Sequence, residues 1–299
     1  MHTDTAHPTP AETQLPSPAR SARLLRNAIV VPSPFSADMV MKTRWDSWDQ
    51  SIYIETTDMD VEKRLPSLGA IEGVFAGVGN PWKLLTQALA LKRCDGVIAL
   101  DHHPMQTEVL FPLFLDALRS VPFSQDREKY IRTICVHIGR DLPYLIADIE
   151  QKYPALFAMA KTKNSYAANY RPEEIVSYTE TSLSYDFGKS GSQFVLATQD
   201  NIEKVIGWMN AGKLASATAD LTDPRLADVL YGSLTKLNAG TIAAMDISNI
   251  AWHDEKNTLI QNMSRQPALA QSAILHSDGR LRALLARNID EIKALQDAV

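Results

Sequence analysis

The residues with the clearest chemical promise are Gly77 and Gly79, in the run Ile71-Glu72-Gly73-Val74-Phe75-Ala76-Gly77-Val78-Gly79-Asn80-Pro81, and the aspartate at position 101. An apolar strand runs into a glycine turn, a helix follows, and a second apolar strand, Gly96-Val97-Ile98-Ala99-Leu100, ends in Asp101. In an open α/β sheet such a unit sets a nucleotide-shaped ligand at the strand ends. The turn lets backbone approach the ligand, and the acid accepts hydrogen bonds from ribose hydroxyls. Two further apolar runs end in acids, Leu214–Ala219 at Asp220 and Thr241–Met245 at Asp246. Carboxylates at the ends of three strands converge on the edge where these sheets bind ligands. Asp246 falls at the substrate end, which suits a general base or a group that orients an acceptor.

The elements that must position these residues follow from apolar periodicity and punctuation. Pro81–Lys92 reads as a helix with proline in its first turn, where a missing N–H costs nothing. Pro104–Leu118 is a strongly apolar helix, and residues 126–162 read as helical in pieces. Helices over Asn201–Asn210 and Pro224–Leu237 flank the strand Leu214–Ala219, and residues 255–264 are helical. A late strand is expected within Pro267–His276 and a final helix over Leu281–Asp297. Strands alternating with helices of this length predict an α/β fold with a doubly wound, mostly parallel sheet. The organisation expected is a disordered tail over 1–20, an N-terminal helical cap over 21–67, and a main domain over 68–299. That domain carries a helical and loop insertion over 122–200. Within it, Thr162–Ser192 is polar and holds Tyr166, Tyr170, Tyr178 and Tyr185. It reads as a long loop able to act as a lid, with Tyr178 and Tyr185 as candidate catalytic residues, because tyrosine faces attract a cation.

Composition sets the outer bounds. With 299 residues, 45% hydrophobic and 22% charged, the chain is enzyme-sized and ordinary for a globular protein. A net charge of −5 leaves no basic footprint for nucleic acid. Cys94 and Cys135 are the two cysteines, too few for a disulfide framework, which fits a reducing cytoplasm. Cys94 and His137 read as core residues rather than as a thiol nucleophile with its base. No run approaches the roughly 18 apolar residues of a membrane span, and the N-terminus lacks an apolar signal core. The partner expected is therefore a small-molecule substrate, with neither nucleic acid nor membrane. The oligomeric state, a homodimer included, stays open.

The glycine turn also constrains which nucleotide binds. A dinucleotide fingerprint needs a third small residue so that helix and strand pack closely under a pyrophosphate. Here that place falls on Trp82, which favours a ligand without pyrophosphate. S-adenosyl-L-methionine (SAM) fits: a ribose for Asp101, an adenine amine for Asp220, and a charged methionine end for the turn.

On these residues the chain resembles the class I SAM-dependent methyltransferase superfamily, over residues 68–277 with an interruption at 122–200. Gly77-Val78-Gly79 resembles its glycine turn, Asp101 its ribose-binding acid, and Ala219-Asp220 its adenine-side acid. Asp246-Ile247-Ser248-Asn249 resembles its motif at the fourth strand. Phe75 departs from the pattern where many members carry an acid, and Pro81 where a third glycine is frequent. The resemblance implies a Rossmann-like SAM-binding fold and a cofactor set of Gly77, Val78, Gly79, Asn80, Asp101, His102, Asp220 and Ser248, without metal. It implies transfer to a small molecule, with methyl transfer the first expectation. Attack on the aminobutyrate arm, by cyclisation or aminocarboxypropyl transfer with release of methylthioadenosine, is the alternative within that chemistry. A binding protein of this fold without catalysis is another. The rival motif Asp101-His102-His103-Pro104 resembles the signature of DHH-type metal phosphohydrolases, where a carboxylate and imidazoles hold divalent metal. That family needs upstream aspartates, and only Asp58-Met59-Asp60 approaches the pattern.

Overall fold

A computed structural model describes residues 28–31, 61–101, 103–154, 171–247, 256–277 and 283–292. Its strands are β1 (Ile29–Val30), β2 (Glu72–Val78), β3 (Arg93–Asp101), β4 (Leu214–Thr218), β5 (Ile242–Asp246), β6 (Ala273–Ser277) and β7 (Ala283–Ala286). They form one sheet in the order β1-β4-β3-β2-β5-β6-β7. Every pairing is parallel except that of β6 with β7. The helices are α1 (Val61–Leu68), α2 (Pro81–Ala90), α3 (Phe111–Ser120), α4 (Arg127–Lys152), α5 (Pro172–Ser190), α6 (Gln199–Asn210), α7 (Leu226–Leu237) and α8 (Lys256–Ser264). A π-helical turn, Met105–Leu110, leads into α3.

Strand alternation divides the core between the two faces of the sheet. Phe75, Val97, Ala99 and Leu214 pack with residues of α1 to α6 on one face. Val74, Ala76, Ile98, Leu100 and Met245 pack with those of α7 and α8 on the other. Strands buried on both sides explain the near-continuous apolar runs read from the sequence. The wind runs outward from β2 through β3 to β4, returns to β5 on the other flank, and continues to β6. Its reversal lies between β2 and β5, whose ends meet where Gly77 pairs with Asp246.

The structure corrects three expectations. The Thr162–Ser192 stretch is not one long loop, because Pro172–Ser190 forms α5. Its terminal signals are ordinary: proline at the first position, Glu173 and Glu174 in the first turn, Lys189 in the last. Its buried face, however, comprises Ile175, Thr179, Ser182, Leu183 and Asp186, so the apolar stripe that marks a helix is missing. Residues 281–297 do not make a single helix, because Ala283–Ala286 pairs antiparallel with β6. The run Ala-Leu-Leu-Ala has high helix propensity, which the pairing overrides. Finally, residues 127–152 form one continuous helix rather than pieces, with Pro143 inside it. The expected cap contributes Ile29–Val30 as an edge strand beside β4, and α1. The tail over 1–20 and the tryptophans 45 and 48 lie outside the described residues.

Candidate functional site

Ligands of open α/β sheets bind outside the carboxyl ends of the strands where the wind reverses. At that point β2 ends at Val78 and Gly79 follows with φ of 125°, in the range glycine tolerates and side chains do not. Asn80 then caps α2, its Oδ1 accepting from the Lys83 N–H at 2.9 Å. Its carboxamide thus serves the helix. Gly77 allows the close approach of helix to strand: a Cβ there would lie 2.7 Å from Leu84 Cδ2 and 3.1 Å from Asp246 Cβ. Trp82, read as blocking that approach, is turned aside. Its ring is buried edge-to-face against Phe114, with centroids 5.6 Å apart, and its Nε1 donates to Asp186 Oδ2 on α5 at 2.8 Å.

The three acids follow or end strands at the same edge of the sheet. Asp101 ends β3 in register with Thr218 at the end of β4. Its Oδ1 accepts from the His103 N–H at 2.8 Å, and its main-chain oxygen accepts from the Ala219 N–H at 2.8 Å. That second bond ties the residue before Asp220 to Asp101. Asp220 Oδ1 accepts from the N–H and hydroxyl of Thr222, at 2.8 and 2.7 Å, which fixes its rotamer. His103 Nδ1 accepts from the Met105 N–H at 3.2 Å, so its ring proton resides on Nε2 when the ring is neutral.

Asp246 is fully buried. Alternation along β5 aims it at α2, where Gln87 Nε2 donates to its Oδ2 at 2.7 Å and Lys83 Nζ lies 3.1 Å from the same oxygen. The side chains of Lys83 and Asp246 are 3% and 0% exposed, so little solvent screens the pair. A carboxylate only accepts, so Gln87 must present its nitrogen and leave Oε1 behind. That Oε1 is buried and finds no donor among the described residues, a cost of about 1–3 kcal/mol. Lys83 and Gln87 were not among the sequence candidates. The sequence signal for them is a lysine and a glutamine at i and i+4 in the largely apolar helix Pro81–Ala90.

A second unforeseen group adjoins Thr218. Glu108, on the π-helical turn, accepts from Tyr153 OH and Lys152 Nζ, each at 2.5 Å, and from Thr218 Oγ1 at 3.3 Å. Burial, and then the charge of Glu108, push the Tyr153 phenol well above its ordinary value and keep it a donor.

The chain matches no protein-family model, and a search of curated proteins finds no significant match.

What the crevice can hold follows from its own side chains. The fold brings Gly77, Val78, Gly79, Asn80, Asp101, Asp220 and Asp246 to one edge of the sheet. Tyr178 and Tyr185 stay on the surface of α5, 44% and 53% exposed, and the Tyr185 ring lies beneath Lys189 Nζ at 5.5 Å. His102, Ser248, Asn249, Trp252, His253 and the Asp58-Met59-Asp60 run lie outside the described residues. Among the described residues no three His, Cys, Asp or Glu side chains gather as a metal-binding group. Burial pushes the thiols of Cys94 and Cys135 up to about 12, which keeps both protonated and poorly nucleophilic. No helix among the described residues is long and apolar enough to cross a membrane. A groove of about 300 Å³ opens elsewhere, between Phe123, Arg127, Phe187 and Thr198, and none of the strand-end residues lines it.

Proposed function

We propose that this chain is a SAM-dependent transferase that moves a methyl group to a small molecule, with a fold akin to the class I methyltransferases. The observation that carries the reading is the switch point. The wind reverses beside a glycine turn with positive φ, and Asp101 ends the adjacent parallel strand. The residues present fit the cofactor by the chemistry of their donors and acceptors. Asp101 accepts from ribose hydroxyls, and Asp220 from the adenine amine. The Gly77–Gly79 backbone receives the methionine end. His102 flanks the ribose acid, and Ser248 follows the acceptor-side strand.

SAM supplies an activated carbon on a sulfonium with a neutral leaving group. The protein's share is alignment and exclusion of water. Asp246, held by Lys83 and Gln87 beside the glycine turn, fixes the shape of the crevice rather than shuttling a proton. The scheme needs neither Tyr178 nor Tyr185.

The test is calorimetric titration of the purified protein with SAM, then mass spectrometry after incubation with SAM and pooled small-molecule acceptors. Saturable binding, with S-adenosylhomocysteine formed only when acceptors are present, supports the proposal. Methylthioadenosine released above the spontaneous rate, from SAM alone, moves the reaction to the aminobutyrate arm. Binding without turnover leaves a catalytically silent SAM protein. Absence of binding removes the cofactor assignment.

A further inference from the structure

Lys83 breaks a local rule. It sits in the first turn of α2, where the helix dipole disfavours a cation, and no acidic residue of that turn offsets it. It is also buried, as is Gln87 one turn later. Helical side chains lean toward the N-terminus, so both reach toward the carboxyl edge of the sheet, and there they meet on one oxygen of Asp246. The buried Oε1 that Gln87 leaves without a donor shows that its amide is committed to the carboxylate. A rule broken at the ligand edge of a fold, with its compensation supplied from another strand, marks a functional position.

We propose that Lys83 and Gln87 are positioning residues that clamp Asp246 against the glycine turn and so shape the seat for the amino-acid end of the ligand. The inference rests on the SAM reading above. Its geometry is local: Asp246 pairs with Gly77 on β2, whereas Asp101 and Asp220 belong to the ends of β3 and β4, further along the sheet. The clamp therefore serves the methionine end and leaves the nucleoside end alone.

Two ligands separate these ends. SAM carries both, and 5′-methylthioadenosine carries the nucleoside without the amino acid. Affinities for both are measured by calorimetry for the wild type, Gln87→Met, and the charge-neutral pair Lys83→Met with Asp246→Asn. The pair avoids leaving a buried carboxylate without its cation, and circular dichroism and unfolding midpoints check the fold of each variant. Gln87→Met removes one donor, keeps the ion pair, and so remains informative if the double variant does not fold. The expected result is a loss of SAM affinity of about tenfold or more, with methylthioadenosine affinity unchanged. Equal losses for both ligands, or wild-type SAM affinity in folded variants, overturn the inference and leave the SAM reading standing. A wild-type protein that binds no SAM overturns both.

Discussion

Asp101 serves the fold and the crevice through different atoms, and a choice of substitution separates the two. Its main-chain oxygen joins β3 to the residue before Asp220, and its Oδ1 holds the turn at His103. Asp101→Asn keeps an oxygen for the His103 N–H but loses the charge, so the fold should survive while the ligand suffers. Hydrogen bonds to charged groups contribute about 1.5–3 kcal/mol, so SAM affinity should fall about ten- to a hundredfold. Calorimetry on a variant with an unaltered unfolding midpoint checks this, and unchanged affinity removes the ribose role. Gly77 offers the complementary case. A methyl group there would press on Leu84, itself fully buried, and on Asp246 Cβ. Gly77→Ala should cost about 1–3 kcal/mol in urea unfolding, the usual penalty for overpacking. A neutral result would mean that α2 can lift from the sheet.

At the scale of elements, α5 depends on a polar contact. Asp186 receives the Trp82 indole N–H, and two other residues of the buried face, Thr179 and Ser182, bury hydroxyls with no partner among the described residues. Asp186→Ala would strand the indole N–H at a cost of about 1–3 kcal/mol and loosen α5 first. Hydrogen exchange should rise across 172–190 before it rises in β2 or β3; uniform protection would show that the bond does not hold the helix. The same polar face explains what was legible in the sequence. The strands β2 to β6, apart from one to three residues at their ends, stood out as apolar runs bounded by Gly, Pro or Asp. So did α2, α6 and α7, because both faces of the sheet are buried and the helices carry apolar stripes. The helix α5 was hidden by Thr179, Ser182 and Asp186 on its inner side, β7 by a helix-prone Ala-Leu-Leu-Ala, and β1 by a length of two residues. In the crevice, the turn and the strand-end acids could be read because position along a strand fixes them. Lys83, Gln87 and Glu108 could not, because their partners lie far off in sequence, 159 residues between Gln87 and Asp246 and 110 between Glu108 and Thr218, and meet only through the fold.

At the scale of the whole molecule, the buried cysteines and tyrosines with resolved shifts among the described residues agree in sign. Burial raises the Cys94, Cys135 and Tyr130 groups to about 12, and Tyr153 rises as well. Each folded group holds its proton more tightly than the unfolded chain does, where cysteine titrates near about 8.5 and tyrosine near about 10. Stability from these four is fully present below pH about 8.5 and is lost as pH rises toward the folded values. The lowered carboxyls act at the other limit. Asp223, held down chiefly by its Arg225 hydrogen bond, and the exposed Glu72, held by Lys92, lose their contributions only as pH falls through the acid range. Both of these are solvent-screened, so the acid limb they produce should be shallow. The unfolding midpoint should therefore stay level through neutral pH and fall steeply above about pH 9. Thiol labelling should follow the same course: Cys135, buried on α4, should resist a disulfide reagent at pH 8 until the chain unfolds. A rapid reaction in the native state would require α4 to open locally. It would also mean that the face of the sheet carrying α2 and Lys83 is less tightly packed than its burial implies.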